Sequence, residues 1–191
     1  MSLFEFVTAG YTLLLSFAIL RVLTGLPHAM RIQGRYWVYV SWLILALLFC
    51  LVTFIGFWPY HGVEWTTLKI LGALAIPGSL YAYCSLLVPP DPAAVTDWKA
   101  YFFSVRVPLF AIGVIFYVVV ILSNQLSLGT SPFHISQLSS YFYIAIYIVG
   151  LCTVRPSVHV ALPIAIVIAI VIEAALLGDA DPIALYGMDS Q

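Results

Sequence analysis

The chain has 191 residues, of which 63% are hydrophobic and only 8% are charged. A soluble domain normally carries about 25% charged residues, so this composition cannot cover a water-facing surface and excludes an ordinary soluble protein. The seven basic and eight acidic residues nearly cancel, which leaves no basic footprint for nucleic acid. The length fits one compact transmembrane domain, 1–191, without a separate soluble domain.

Six apolar stretches follow one another along the chain, and each is long enough to cross a membrane. A membrane-crossing helix needs about 20 mostly apolar residues. The six stretches are 3–26, 36–58, 66–88, 105–125, 133–154 and 157–177. Lipid offers no hydrogen-bonding partners to the backbone, so uninterrupted runs of this length indicate helices rather than strands. The sequence therefore predicts an all-α membrane protein built as a six-transmembrane-helix bundle.

The basic residues between the predicted helices are distributed unevenly, which predicts the orientation of the bundle. One side of the predicted topology carries Arg31, Arg35, Lys99, Arg106 and Arg155. The other side carries Lys69 alone. Connections rich in lysine and arginine stay in the cytoplasm. We therefore expect both termini of this multi-pass protein to lie outside the cytoplasm.

Two of the predicted helices carry polar side chains at helical spacing, so that each set lies on one face. In the first span the set is Thr8, Thr12 and Ser16, and in the fifth it is Ser136, Ser140, Tyr143 and Tyr147. The spacing favours hydrogen bonds between helices, which are worth about 0.6 kcal/mol each in membranes. The alternative is that the two sets line a hydrated path through the bundle.

A single carboxylate interrupts the last apolar run, which reads IVIAIVIEAALLG from residue 166 to 178. Four-residue steps back from Glu173 meet Ala169, Ala165 and Ala161. Such a ridge of small residues lets helices approach closely in a membrane. A charged side chain exposed to lipid costs about 3 kcal/mol. We therefore expect Glu173 to face the interior of the bundle.

Two further charged residues should lie at the same depth as Glu173. Glu5 opens the first span and Lys69 begins the third, both at the non-cytoplasmic side of the predicted topology. The sequence therefore predicts a polar intramembrane cluster of Glu5, Lys69 and Glu173. Three interpretations are open: an ion pair that fixes helix register, a site that handles protons or cations, and an interfacial Glu173 that reaches the headgroups.

The four histidines suggest a haem protein, and their positions argue against it. His28 and His159 lie near the predicted inner face, while His61 and His134 lie near the outer one. Two pairs at two depths are typical of a dihaem b-type cytochrome. These histidines lie in or beside connections, however, whereas haem needs rigid ligands that face each other. The three cysteines show no C-x-x-C spacing, so we expect no metal site and no cofactor, with haem as the minor alternative.

Aromatic and proline residues punctuate the first half of the chain in a distinctive pattern. The motifs are Leu3-Phe4-Glu5-Phe6, Trp42, Trp65-Thr66, Pro77…Tyr81…Leu87-Val88-Pro89 and Tyr101-Phe102. With them, residues 1–110 resemble an uncharacterised family of small polytopic bacterial inner-membrane proteins. The resemblance implies a location in the cell inner (plasma) membrane, and it implies no activity.

Three classes of function fit these features. The first is a non-catalytic membrane component, such as an accessory subunit, assembly factor or sensor, because the predicted connections are short and no nucleotide, phosphate or metal motif occurs. The alternative is a small homo-oligomeric channel or transporter with Glu5, Lys69 and Glu173 as its outer-leaflet acidic site. A membrane enzyme, including a cytochrome, has the least support, since no nucleophile–base motif is present. The expected partners are the lipid bilayer and either further copies of the chain or a larger membrane complex.

Overall fold

Six long α-helices make up most of the molecule. The computed structural model describes residues 2–31 and 34–177. The helices are α1 (Leu3–Ala29), α2 (Trp37–Ile55), α3 (Thr67–Leu87), α4 (Trp98–Leu128), α5 (Leu138–Cys152) and α6 (Pro156–Leu177). All six, the fifth together with the 3₁₀ turn Ile135–Gln137 before it, are long and apolar enough to cross a membrane, and no strand occurs in the described ranges. The prediction of an all-α chain with six helices long and apolar enough to cross a membrane is confirmed for the described residues, while the orientation of its termini stays a prediction.

Local polar side chains determine where α1 begins. The Ser2 hydroxyl accepts a hydrogen bond from the Glu5 amide (3.2 Å), and the Glu5 carboxylate accepts one from the Ser2 amide (2.8 Å). This reciprocal arrangement is a capping box, which satisfies two amides that have no partner within the helix. Glu5 is therefore engaged at the first turn of its own helix.

Asp97 starts α4 earlier than the apolar run predicts. Its carboxylate accepts hydrogen bonds from the amides of Lys99 (2.9 Å) and Ala100 (3.0 Å). This cap places the first helical residue at Trp98, about two turns before the predicted start of the span. Lys99, which precedes the predicted span, therefore lies in the first turn of the helix, and Arg106 lies about two turns further along it.

The helices form one bundle in which neighbours follow the order α1, α3, α4, α5, α6 and α2, and α2 returns to α1. The most extensive contacts join α3 to α4, α1 to α3 and α4 to α5, while α6 packs mainly against α2 and α5. Because the chain reverses between successive helices, α1, α3 and α5 begin at the end where α2, α4 and α6 finish. We name this the terminal end (Leu3, Ile55, Thr67, Leu128, Leu138 and Leu177). The other is the opposite end (Ala29, Trp37, Leu87, Trp98, Cys152 and Pro156).

Aromatic rings fill the core between α2, α4 and α5. Trp42 is fully buried, and its ring meets that of Phe110 edge-on with centroids 5.1 Å apart. Two glycines admit such rings: Gly113 of α4 lies against the ring of Tyr147, and Gly150 of α5 lies against the ring of Phe110. A Cβ at either glycine would overlap the ring that it faces. These small residues therefore allow α4 and α5 to approach closely, as at other helix interfaces in membranes.

An arginine holds the last turn of α5 at the opposite end. Arg106 of α4 donates from Nη1 to the carbonyl oxygens of Gly150 (3.1 Å) and Leu151 (2.6 Å), and also to that of Thr153. The last carbonyl groups of a helix have no partner within the helix and carry partial negative charge. Arg106 therefore stabilises the end of α5 and ties it to α4.

A second arginine, Arg21, stabilises the end of α3 in the same way. Nη2 of Arg21, on α1, donates to the carbonyl oxygens of Val88 (3.0 Å) and Pro89 (2.9 Å). The buried hydroxyl of Tyr39, on α2, donates to the Leu87 carbonyl oxygen at 2.7 Å. Donors from two neighbouring helices thus satisfy the carbonyl groups at and just after the end of α3, and buried and part-buried hydrogen bonds join the helices at the opposite end.

Candidate functional site

A cavity of about 180 Å³ lies at the terminal end, between residues of all six helices and the 3₁₀ turn Trp58–Gly62. Its polar lining residues are Thr53, Asn124, Ser136, Ser139, Ser140 and Glu173. Its aromatic lining residues are Tyr11, Phe49, Tyr60, Phe116, Tyr117 and Tyr143. The polar residues lie near the helix ends at the terminal end or in the 3₁₀ turn before α5, whereas Phe116 and Tyr117 lie near the middle of α4. The helix order therefore assembles the cavity from segments that are distant in the sequence.

Glu173 is the charged residue of this cavity. Its side chain is half-buried, and Oε2 accepts a hydrogen bond from the Tyr143 hydroxyl at 3.2 Å, with Ser139 beside it. No lysine, arginine or histidine of the described residues pairs with this carboxylate, and the remaining positions of the chain contain none of these residue types. The expectation that Glu173 faces the bundle interior agrees with this placement. The carboxylate has no counter-ion from its own chain's side chains.

Stacked tyrosines form the wall next to Glu173. Tyr143 of α5 stacks on Tyr117 of α4 with ring centroids 5.0 Å apart, and Phe49 of α2 meets Tyr143 edge-on at 6.3 Å. Tyr147 lies one turn deeper on α5, where its ring is 5.9 Å from that of Tyr117. Ser136, Ser140 and Tyr143 of the predicted α5 stripe thus line the cavity. Tyr147 continues the same face into the packed core, where it is 2% exposed.

Two further hydrogen bonds hold the cavity walls together. The buried Tyr60 hydroxyl donates to Oδ1 of Asn124 at 2.7 Å, and this bond joins the 3₁₀ turn after α2 to α4. The Tyr11 hydroxyl donates to the Thr53 carbonyl oxygen at 3.0 Å, which joins α1 to α2. Asn124, Tyr60 and Tyr117 are not among the site residues that the sequence predicts. A signal for the first existed, because Asn124 is the chain's single asparagine and falls inside an apolar run.

The polar stripe of α1 lies apart from the cavity. The hydroxyls of Thr8, Thr12 and Ser16 donate to the carbonyl oxygens four residues earlier in the same helix, at 2.7, 2.8 and 2.7 Å. Thr8 and Thr12 are half-buried and Ser16 is exposed. Short hydroxyl side chains can satisfy themselves in this way within one helix. In the structure these three residues neither line the cavity nor bond to a neighbouring helix through their hydroxyls.

The structure does not bring Glu5, Lys69 and Glu173 together. Glu5 bonds to the amide of Ser2, as described, and Nζ of Lys69 donates to the Glu64 carbonyl oxygen at 3.0 Å. Glu173 bonds to Tyr143. Each residue thus has a partner on its own or an adjacent element, and α6 packs mainly against α2 and α5 rather than against the helices of Glu5 and Lys69.

The alanine ridge of α6 lies beside the buried face rather than at its centre. Ala165 and Ala169 are half-buried against the core, whereas Ala161 is exposed. The fully buried side chains of this helix include His159 and Ile166, which continue toward Glu173 at helical spacing. Close approach of small residues therefore contributes to α6 packing at two of the three predicted positions.

Three of the four histidines have contacts in the structure, and the fourth, His28, has a buried Nδ1 without a hydrogen-bond partner among the described residues. His159 is fully buried, its Nε2 lies 3.0 Å from the Thr153 carbonyl oxygen, and the ring is 5.3 Å from that of Phe102. His61 stacks on Trp58, and Nδ1 of His134 lies 2.9 Å from the Ser136 hydroxyl. His28 is half-buried at the end of α1. Among the described residues, no group of three or more histidine, cysteine or acidic side chains is placed to hold a metal ion. The haem hypothesis for these pairs stays an untested prediction.

Comparisons with known proteins show no relationship for this chain. No protein-family model, curated protein or solved structure gives a significant match. The resemblance to small polytopic bacterial membrane proteins therefore stays a prediction. The fold defines a multi-pass α-helical membrane protein, and its function is inferred below from the cavity.

Proposed function

We propose that the protein binds a small solute in the cavity of the terminal end and moves it across the plasma membrane, as a channel or transporter. The observation that carries this proposal is the position of Glu173: a carboxylate inside an apolar bundle that lines a cavity and has no basic partner. An ionisable residue within a membrane span is costly to place there, and it typically marks a pathway for ions or substrates. A residue kept only for helix packing would not need this charge.

The orientation proposed for the bundle follows from its basic residues. Arg31, Arg35 and Arg155 are exposed at the opposite end, together with Lys99 in the first turn of α4. Exposed basic residues favour the cytoplasmic side. The cavity would then open toward the non-cytoplasmic side of the membrane, and both chain ends would lie there.

Movement of a solute through this bundle requires a second conformation, because hydrogen bonds from Arg21 and Arg106 join the helices at the opposite end. Among the described spans, α6 has the smallest share of buried residues, and it packs mainly against α2 and α5. It also carries Glu173. We therefore propose that α6 is the element that moves, since it has the fewest contacts to break.

A second candidate function is that of a non-catalytic membrane component, which acts as a subunit of a homo-oligomer or of a larger complex. One observation favours it: α6 presents a continuous apolar surface on its outer side. The exposed residues are Val160, Ile164, Val167, Ile168, Val171 and Ile172. Such a surface can meet lipid or another transmembrane helix. Purification in a mild detergent tests this function, because recovery of the monomer alone would count against it.

The transport function can be tested by charge movement in reconstituted liposomes on a solid support. Jumps in the concentration of potassium, sodium, methylammonium or choline should produce a protein-dependent current for at least one of these cations. Glu173→Gln should abolish this current. Glu5→Gln removes an acid at the same end of the bundle that lies outside the cavity, and glutamine also serves in a capping box, so this control should retain the current. Currents no larger than those of protein-free liposomes, or equal currents in wild type and Glu173→Gln, would refute the proposal.

A further inference from the structure

We propose that the solute recognised by the cavity is a small organic ammonium ion, held between the Glu173 carboxylate and the aromatic wall. This inference rests on the proposed function and names its substrate class. It combines three properties of the same cavity: a carboxyl group without a basic partner, a lining rich in aromatic rings, and a small volume.

The charge of the cavity selects a cation. Glu173 is the acidic residue among the lining side chains, and no basic side chain lines the cavity. An ionised carboxylate accepts about four hydrogen bonds. Tyr143 donates one of them, to Oε2, and Ser139 lies beside the group. Acceptor capacity is therefore left for a ligand, and a cationic ligand would supply the counter-ion that the chain itself does not provide.

The aromatic wall selects an organic cation over an inorganic one. The faces of tyrosine and phenylalanine rings carry partial negative charge and attract ammonium groups within about 6 Å of the ring centre. Tyr117, Tyr143 and Phe49 form one continuous ring cluster beside Glu173. A metal cation such as Ca²⁺ instead requires six to eight oxygen ligands, and within the described parts of the chain no group of three histidine, cysteine or acidic residues is placed to bind a metal ion.

The volume of the cavity selects a small ligand. Pockets for drug-sized molecules measure about 300–1,000 Å³, and this cavity measures about 180 Å³. Apolar side chains such as Ile76 and Ile170 complete the lining and would contact alkyl substituents on the nitrogen. The hydroxyls of Ser136 and Ser140 offer hydrogen bonds to a polar group at the other end of such a ligand.

Calorimetric binding of an isosteric pair to the purified full-length protein tests the substrate class. Choline is the cationic probe, and 3,3-dimethylbutan-1-ol has the same shape without the charge. We expect choline to bind about tenfold more tightly than the alcohol. Glu173→Gln should weaken choline binding about tenfold without affecting the alcohol, and Glu5→Gln should change neither.

A second variant tests the aromatic wall without removing the charge. Phe49→Leu keeps an apolar side chain of similar size, and it should weaken choline binding about fivefold while the affinity for the alcohol stays the same. Gel-filtration profiles that match the wild type show that each variant is folded. Equal affinities for choline and the alcohol in the wild type, or choline binding that both variants retain, would overturn the proposed class.

The results for substrate class and for transport are separable. Charge-selective choline binding without any transport current supports the ammonium site and refutes transport. Currents of potassium or sodium that require Glu173, together with no selectivity for choline, support transport and refute the ammonium class. If choline binds no more tightly than the alcohol and no cation produces a current, both proposals are refuted.

Discussion

The two ends of the bundle use charged side chains in opposite ways. At the opposite end, Arg106 donates to carbonyl oxygens of the last turn of α5, and Arg21 donates to carbonyl oxygens just after α3, so that each contact ties two helices together. At the terminal end, Glu173 accepts a hydrogen bond from the Tyr143 hydroxyl, has Ser139 beside it, and otherwise lines a cavity. The arginines complete the hydrogen bonding of the backbone, whereas the glutamate leaves its own hydrogen bonding incomplete.

This difference separates structural charges from functional ones. Carbonyl groups at a buried helix end need a donor, and removal of that donor exposes them to lipid without a partner. A cavity-facing carboxylate can be neutralised with little harm to packing. Substitutions at the opposite end should therefore reduce stability, and those around Glu173 should chiefly affect solute binding and transport.

The largest effect on stability is expected for Arg106→Gln. The shorter neutral side chain cannot reach three carbonyl oxygens at the end of α5, and the loss should be about 3 kcal/mol. Denaturant titration in detergent micelles, followed by tryptophan fluorescence, measures the free energy of unfolding. Arg155→Gln is the matched control, because Arg155 is exposed at the same end of the bundle. Equal stability of the two variants would show that Arg106 does not hold α5.

A smaller loss is expected where aromatic rings cross the interface of α4 and α5. Gly113→Ala would force the ring of Tyr147 to move, and overpacking of this kind costs about 1–3 kcal/mol. Gly78→Ala is the control in α3, because a Cβ there meets no atom within 4 Å. It should be neutral or stabilise the helix by up to about 1 kcal/mol. The same titration compares the two alanine variants, and identical effects would disprove the close approach of α4 and α5.

The smallest effect on stability is expected at the wall of the cavity. Tyr143→Phe keeps the ring stacked on Tyr117 and removes the hydroxyl that bonds to Glu173. Single hydrogen bonds between membrane helices are worth about 0.6 kcal/mol, so the loss should be close to that value. Tyr81→Phe removes an exposed hydroxyl elsewhere and provides the control. A loss as large as that of Arg106→Gln would mean that Glu173 is a structural charge.

The sequence predicts the six spans well because lipid imposes a strict requirement on length and hydropathy. The inward direction of Glu173 could also be predicted, since its charge and the alanines behind it restrict the faces that can meet lipid. The hydrogen-bond partners of Glu173 could not be predicted from the sequence. Depth in the membrane places Glu5 and Lys69 near it, but only the helix order shows that α6 packs against α2 and α5.

Two other features needed the structure for similar reasons. The hydroxyls of Thr8, Thr12 and Ser16 share a face in the sequence, but spacing alone cannot show that they bond within their own helix. The early start of α4 depends on the Asp97 cap, which carries the helix through the charged residues Lys99 and Arg106. Hydropathy alone begins this span at residue 105 and so places Lys99 outside the helix.

The most direct test of a functional cavity is its accessibility to water in intact membranes. Ser139→Cys would place a thiol on the cavity wall, and Phe142→Cys would place one on the exposed side of α5 about one turn away. Both are made with Cys152→Ser, which removes the exposed native thiol. Right-side-out vesicles are then treated with a membrane-impermeant methanethiosulfonate.

Because a thiol in lipid does not ionise and a thiol in water does, we predict that Ser139→Cys reacts about tenfold faster than Phe142→Cys from the non-cytoplasmic side. Equal rates for the two thiols in right-side-out vesicles, or reaction at position 139 in inside-out vesicles alone, would contradict a water-filled cavity that opens outward.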